Sequence, residues 1–148
     1  MTHLKEGDKI PNMKEITEKM DLSGKKLILY FYPKDNTPGC TAEACNLRDN
    51  YENLKKQGFE VIGISPDNEK SHEKFIEKFN LPFKLLADND KTILKEFGVW
   101  GEKKMYGKTY EGVNRTTFII NDKGVIVKIF DKVDTKEHYD QIIKAFKE

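Results

Sequence analysis

The sequence predicts an α/β fold, a central mixed β-sheet flanked by helices on both faces. Three observations carry that prediction. Leu27-Ile28-Leu29-Tyr30-Phe31-Tyr32 is an unbroken apolar and aromatic run, the pattern of a central strand buried on both sides. Segments of helical and strand character then alternate, an order that packs as parallel strands joined by covering helices. Near the end, Thr116 to Ile120 and Val125 to Phe130 flank Asn121-Asp122-Lys123-Gly124, a hairpin turn that adds antiparallel pairing.

Residues 1–26 read as irregular, with Gly7, Pro11 and Ser23-Gly24 as turn signals. Pro33 ends the first strand, and a loop of Lys34-Asp35-Asn36 follows. Thr37 is suited to cap a helix, and Pro38 to its first position, where the missing N–H costs nothing. That helix is expected to run to about Lys56, because Cys40, Ala44, Leu47, Tyr51 and Leu54 recur at spacings of four and three and form one apolar stripe. Gly58 stops it, and Glu60 to Ser65 reads as the next strand. An amphipathic helix over Glu69 to Phe79 turns Phe75, Ile76 and Phe79 inward. Lys84 to Ala87 reads as a short strand and Lys91 to Phe97 as a short helix. Gly98 to Gly112 reads as a glycine-rich loop, and Lys136 to Lys147 as the last helix. The order β-α-β-α-β-α-β-β-α, with right-handed parallel connections early, gives a thioredoxin-like arrangement with one extra helical element.

The 148 residues are enough for one domain with its own core, and no repeat or linker divides them. Lys and Arg number 26 against 25 Asp and Glu, so the positive field of a nucleic-acid binder is missing. Lysine pairs such as Lys55-Lys56 and Lys103-Lys104 read as solvated faces. No secretory signal is visible at the start, and the run from Leu27 to Tyr32 is far too short to span a bilayer. A cytoplasmic protein is expected, and two closely spaced cysteines in a reducing compartment point to redox or metal chemistry over structural stapling.

The chain has two cysteines, Cys40 and Cys45. Cys40 falls at the third helical position, where free amides and the helix dipole favour an anion. Helix N-termini and nearby cations commonly move a thiol from near pKa 8.5 to roughly 3.5–7.5. If both cysteines share one helix, their Cα atoms lie roughly 8.6 Å apart, whereas a disulfide needs less than about 7 Å. A bond between them would require the first turns to unwind. Other readings stay open at this point. A cysteine on an apolar stripe can be a small hydrophobe. Zinc would need further ligands, and His3, His72 and His138 show no clustered spacing. The C-x2-C spacing of a thioredoxin-type oxidoreductase is absent. A dithiol–disulfide exchanger and a catalytically silent binding module are the remaining rivals.

Phe31-Tyr32-Pro33-Lys34-Asp35-Asn36-Thr37-Pro38-Gly39-Cys40 contains Pro-x3-Thr-x2-Cys, which resembles the active-site signature of peroxiredoxins of the bacterioferritin comigratory protein (PrxQ) subfamily. Thr41 to Asp49 resembles that subfamily's helix with its second cysteine five positions on. Gly98 to Lys103, Gly107 to Tyr110 and Asn114 to Ile120 are similar to its loop and its arginine-bearing strand. The likeness covers nearly the whole chain and departs most between Pro11 and Lys26.

The resemblance implies a thiol-dependent peroxidase for hydrogen peroxide and organic hydroperoxides, with no bound metal or organic cofactor. Cys40 would be the peroxidatic thiolate, oxidised to sulfenic acid. Cys45 would resolve it as an intramolecular disulfide, which thioredoxin or a similar dithiol protein would reduce. Thr37 would align the peroxide, Arg115 would hold the thiolate, Pro33 would shield it, and Glu43 would orient Arg115. The resemblance also implies a monomer. Without it, Thr37 reads as a helix cap, Arg115 as a surface cation, Pro33 as a strand terminator and Glu43 as a first-turn acid. Trp100 and Tyr110 read as packing residues.

Overall fold

A computed structural model describes residues 2–11 and 26–147. The turn signal at Ser23-Gly24 lies outside the described residues. Five strands form the central sheet: β1 (Lys26–Phe31), β2 (Phe59–Ser65), β3 (Lys84–Ala87), β6 (Thr116–Ile120) and β7 (Ile126–Phe130). Their order is β3-β2-β1-β6-β7. β1 pairs parallel with β2 and β2 with β3, whereas β6 runs antiparallel to β1 and β7 to β6. The mixed sheet expected from the sequence is the one formed.

β1 is central because both of its faces are apolar. Leu27, Leu29 and Phe31 enter one core with Phe97 and Phe118, while Ile28, Tyr30 and Tyr32 enter the other with Cys40, Leu47 and Phe75. Helix α4 (Thr92–Glu96) covers the first face through Ile93 and Leu94. The second face carries α1 (Pro38–Asp49), α2 (Tyr51–Lys56), α3 (Glu69–Phe79) and α5 (His138–Lys147). Helices therefore lie on both faces, as predicted.

The single helix predicted from 38 to 56 is two. Asn50, at φ −113° and ψ 11°, ends α1 and opens α2. The stripe nonetheless continues across the break, and Cys40, Ala44, Leu47, Tyr51 and Leu54 are all buried. α3 begins at Asn68, whose side-chain oxygen accepts the Ser71 N–H at 2.8 Å, and ends at left-handed Asn80. Phe75 is buried there, with Ile76 and Phe79 packed at the rim of the same core. α5 starts two residues later than expected. Asp134 Oδ1 accepts the Lys136 and Glu137 amides ahead of it.

The largest departure concerns Gly98 to Gly112, expected to be a loop. β4 (Trp100–Met105) and β5 (Lys108–Val113) form a separate antiparallel hairpin. Its tip, Tyr106-Gly107, has φ of 52° and 77°, the left-handed pair that a two-residue hairpin turn requires.

Candidate active site

The β1–β6 register pairs Phe31 with Thr116, which places Arg115 just outside the sheet, beside the end of β1. From there the chain runs through Tyr32–Thr37 into α1. Cys40 thus stands at the carboxyl rim of a parallel strand, at the third position of a helix whose Ncap is Thr37. This rim is where open α/β sheets present their ligands.

Cys40 is 1% exposed. Arg115 Nη2 donates to its Sγ at 3.2 Å, and Arg115 Nη1 donates to Glu43 Oε1 at 2.7 Å. One guanidinium therefore bridges the thiol and the carboxyl, which sit three residues apart on α1. Burial alone would lower the Arg115 pKa, but Glu43 and Cys40 outweigh it and hold the cation above its usual range. Glu43 lies in the second turn of α1 and is fully buried, so it is not the solvated first-turn acid that sequence reasoning alone would allow. Burial pushes its carboxyl up to about 7 against the pull of Arg115. The 2.7 Å contact has the geometry of an ion pair. A protonated carboxyl accepts the same N–H through its carbonyl oxygen, so the distance leaves the proton count open.

Thr37 occupies the Ncap with extended backbone but does not cap with its side chain. Its hydroxyl donates to the Lys34 carbonyl at 2.9 Å. The hydroxyl proton is thereby committed, and the oxygen's lone pairs are left to accept. Pro33 follows β1 and is half-buried. Cys45 is a half-buried free thiol farther along the unbroken α1, and Cys40 is free as well.

Sequence reasoning missed two neighbours. Lys103, taken as part of a solvated pair, is half-buried on β4 and donates from Nζ to the Val113 carbonyl at 2.9 Å. Burial and the charge of Arg115 lower its pKa, and Cys40 pulls the other way. His138, at the start of α5, is fully buried, with Nε2 2.9 Å from Thr117 Oγ1 and 3.8 Å from Glu43 Oε2. A polar residue on an apolar helix face was the only signal. Trp100 packs against the core as expected, but Tyr110 is exposed on β5.

A second polar cluster fixes the loop ahead of Cys40. Asp35 accepts from Tyr32 Oη at 2.5 Å and Ser71 Oγ at 2.7 Å, and its Oδ2 lies 2.7 Å from His72 Nδ1. Its own amide donates to Asp67 Oδ2 at 2.8 Å. Burial would raise the Asp35 carboxyl, but the bonds from His72, Tyr32 and Ser71 hold it below the usual range. No local spacing links His72 to carboxylates, yet ligand-type atoms of Asp35, Asp67 and His72 gather within 4.8 Å. These atoms are engaged in the bonds that tie the loop to α3 and to the segment between β2 and α3, which accounts for the cluster without a cation.

Among the described residues no helix is long and apolar enough to cross a membrane. A sequence profile of the AhpC/TSA family matches residues 7–129. The chain is 44% identical to the peroxiredoxin Bcp of Escherichia coli K12, covering 100% of this chain and 99% of that protein. It is 42% identical to that of Bacillus subtilis, covering 96% and 94%. Among solved structures, a cysteine-to-serine mutant of Xylella fastidiosa PrxQ superposes with a TM-score of 0.88 at 30% identity, covering 99% of this chain and 98% of that one. The bacterioferritin comigratory protein of Xanthomonas campestris, described with alkyl peroxide reduction activity, superposes at 0.80 with 37% identity over 86% and 80%. A thiol held by an arginine at the head of a helix, on this sheet and with these relatives, places the chain in the AhpC/TSA family, among the Bcp/PrxQ peroxiredoxins.

Proposed function

We propose that this peroxidase reduces hydrogen peroxide and organic hydroperoxides with Cys40 as the attacking thiolate and Cys45 as the resolving thiol. The observation that carries the reading is the Arg115–Cys40 contact at the head of α1. There a cation donates to a sulfur carried on the first turn of a helix, and both the cation and the helix dipole favour its anion. Attack by that sulfur on one peroxide oxygen breaks the O–O bond and leaves Cys40 as sulfenic acid. Thr37, its proton given to Lys34, accepts the peroxide's O–H and orients it. Arg115 stabilises the charge that develops as the bond breaks, a donor already in place before the step. Pro33 shields the sulfur, and Glu43 fixes Arg115.

Resolution requires Cys45. α1 is unbroken from Pro38 to Asp49, and five helical steps separate Cα atoms by roughly 8.6 Å, beyond the reach of a disulfide. The first turns of α1 therefore unwind after oxidation, the thiols condense with loss of water, and thioredoxin or a similar dithiol protein reduces the bond. The catalytic unit on this reading is a monomer, since both thiols belong to one chain.

Intact mass after one equivalent of peroxide tests the scheme. The protein is expected to lose two hydrogens, whereas Cys45→Ser gains one oxygen and no longer turns over with thioredoxin. Cys40→Ser is expected to leave peroxide untouched. Full turnover in Cys45→Ser, or peroxide consumption by Cys40→Ser, would sink the assignment.

A further inference from the structure

Behind the Arg115–Cys40 contact lies a buried chain of hydrogen bonds whose proton positions can be read in order. The Asp134 N–H is a donor, so Gln141 Oε1, 3.1 Å away, accepts it. His138 Nδ1, 2.9 Å from the same oxygen, must then carry a proton and donate. Burial pushes His138 down to about 4, with the Arg115 charge adding to that effect and the Gln141 bond opposing it. The ring is therefore neutral near pH 7, and its Nε2 is an acceptor. The Thr117 hydroxyl donates its hydrogen bond to that nitrogen at 2.9 Å.

An unprotonated His138 Nε2 therefore faces Glu43 Oε2 at 3.8 Å. That oxygen has no hydrogen-bond partner among the described residues. A buried carboxylate with one donor on one oxygen and a lone pair facing the other is poorly solvated. A carboxylic acid suits the same place. Among the other groups near Glu43, Arg115 pulls toward the carboxylate but burial outweighs it; Lys103 is a cation lying beyond Arg115, and burial pushes the Tyr30 phenol well up, so it stays neutral.

We propose that Glu43 holds a proton while Cys40 is a thiolate and releases it when Cys40 is oxidised, so the buried charge around Arg115 stays constant through the reaction. This rests on the reading of Cys40 above. Before the step the cluster holds a thiolate, a guanidinium and a neutral carboxyl. Afterwards it holds a neutral sulfenic acid, the guanidinium and a carboxylate. The S–O bond forms as the O–O bond breaks, sulfur loses two electrons and the hydroperoxide gains them. The leaving hydroxide or alkoxide takes a proton from water to depart as water or alcohol, and Glu43 returns one proton to water. No net proton is drawn from solution. Glu43 meets no peroxide. It is a positioning residue that acts through Arg115, and His138 keeps its second oxygen protonated by offering it no donor. Burial, net of the pull of Arg115, sets the Glu43 carboxyl at about 7 before any thiolate charge is counted, so release on loss of that charge falls within reach of neutral pH.

Infrared difference spectroscopy on Cys45→Ser protein labelled with 13C-glutamate tests this, about one pH unit above the Glu43 value of about 7, which burial and Arg115 set without a thiolate charge. One equivalent of peroxide should remove one protonated-carboxyl stretch and create one carboxylate stretch, and Glu43→Gln should abolish both changes. Dye-monitored proton counting on the same Cys45→Ser protein, with the thiolate confirmed by its ultraviolet absorbance, does not depend on the Glu43→Gln variant folding. No net proton uptake per Cys40 oxidised is expected. Oxygen added to Cys40 with no carboxyl change, or with one proton taken up, overturns the proposal alone. No oxygen added to Cys40 overturns it together with the reading beneath it.

Discussion

At the scale of single residues, Arg115 has no slack. Its two terminal nitrogens are committed to Cys40 and Glu43, and a Cβ added at Gly39 would meet Nη2 at 3.3 Å. Removing one preorganised donor of this kind costs about 10²–10³ in rate, so Arg115→Ala is expected to slow Cys40 oxidation by about that factor. Stopped-flow fluorescence measures the rate, and circular dichroism should show the fold retained. Gly39→Ala improves helix propensity yet crowds the guanidinium. It should slow oxidation by a smaller factor without lowering the melting temperature, and an unchanged rate would show that Arg115 yields freely. Cys40 was legible in the sequence because a Thr-Pro start and a stripe spacing both bear on one position. Lys103 and His138 were not, because their roles depend on which strand and helix end lie across from Arg115, and no local pattern encodes that.

At the scale of elements, the loop between β1 and α1 is held from α3. Asp35 gathers Tyr32, Ser71 and His72, and Asp67 takes its amide. Because the folded Asp35 carboxyl lies below its usual value, its stabilising effect is complete above the unfolded value near 3.8 and fades as pH falls through the folded one. Urea midpoints should therefore drop as pH is lowered past that range, and Asp35→Asn should flatten this part of the profile while lowering stability at neutral pH. A steep acid limb surviving in Asp35→Asn would assign the effect elsewhere. The β4–β5 hairpin escaped sequence reading for a physical reason. Its strands are largely exposed, with Glu102, Lys104, Lys108, Thr109, Tyr110 and Glu111 all facing water, so they show no apolar alternation, and Tyr106-Gly107 is not a common turn pair. The central sheet was legible because its strands are buried and apolar throughout. The break at Asn50 was not, since the stripe passes it without changing phase.

For the whole molecule, folding moves a proton. Between about 4.5 and about 6.5 an unfolded chain has Glu43 ionised and His138 protonated, whereas the folded chain has the reverse, with values near 7 and near 4. The two states bind equal numbers of protons at this pair, so it adds no pH dependence in that window. Single substitutions should expose the two halves. Without Glu43, as in Glu43→Gln, stability should rise with pH from about 4 to about 6.5, because the unfolded state binds the extra His138 proton. His138→Gln should leave the opposite slope, with stability falling as pH climbs from about 4.5 to about 7. Each slope spans about 3 kcal/mol at most, readable from denaturant melts at stepped pH, and a flat profile in both variants would contradict the pair. The burial gradient along α1 also bears on the protein as a whole. Its first two turns bury only Cys40, Glu43 and Ala44, while Leu47 and, beyond the break, Tyr51 and Leu54 hold the trailing portion. A buried leucine is worth about 1.5–3 kcal/mol and an alanine far less. The helix is thus moored at its far end and lightly tethered at its head, so on the proposed chemistry its tip would peel away while Leu47, Tyr51 and Leu54 keep their places in the interior.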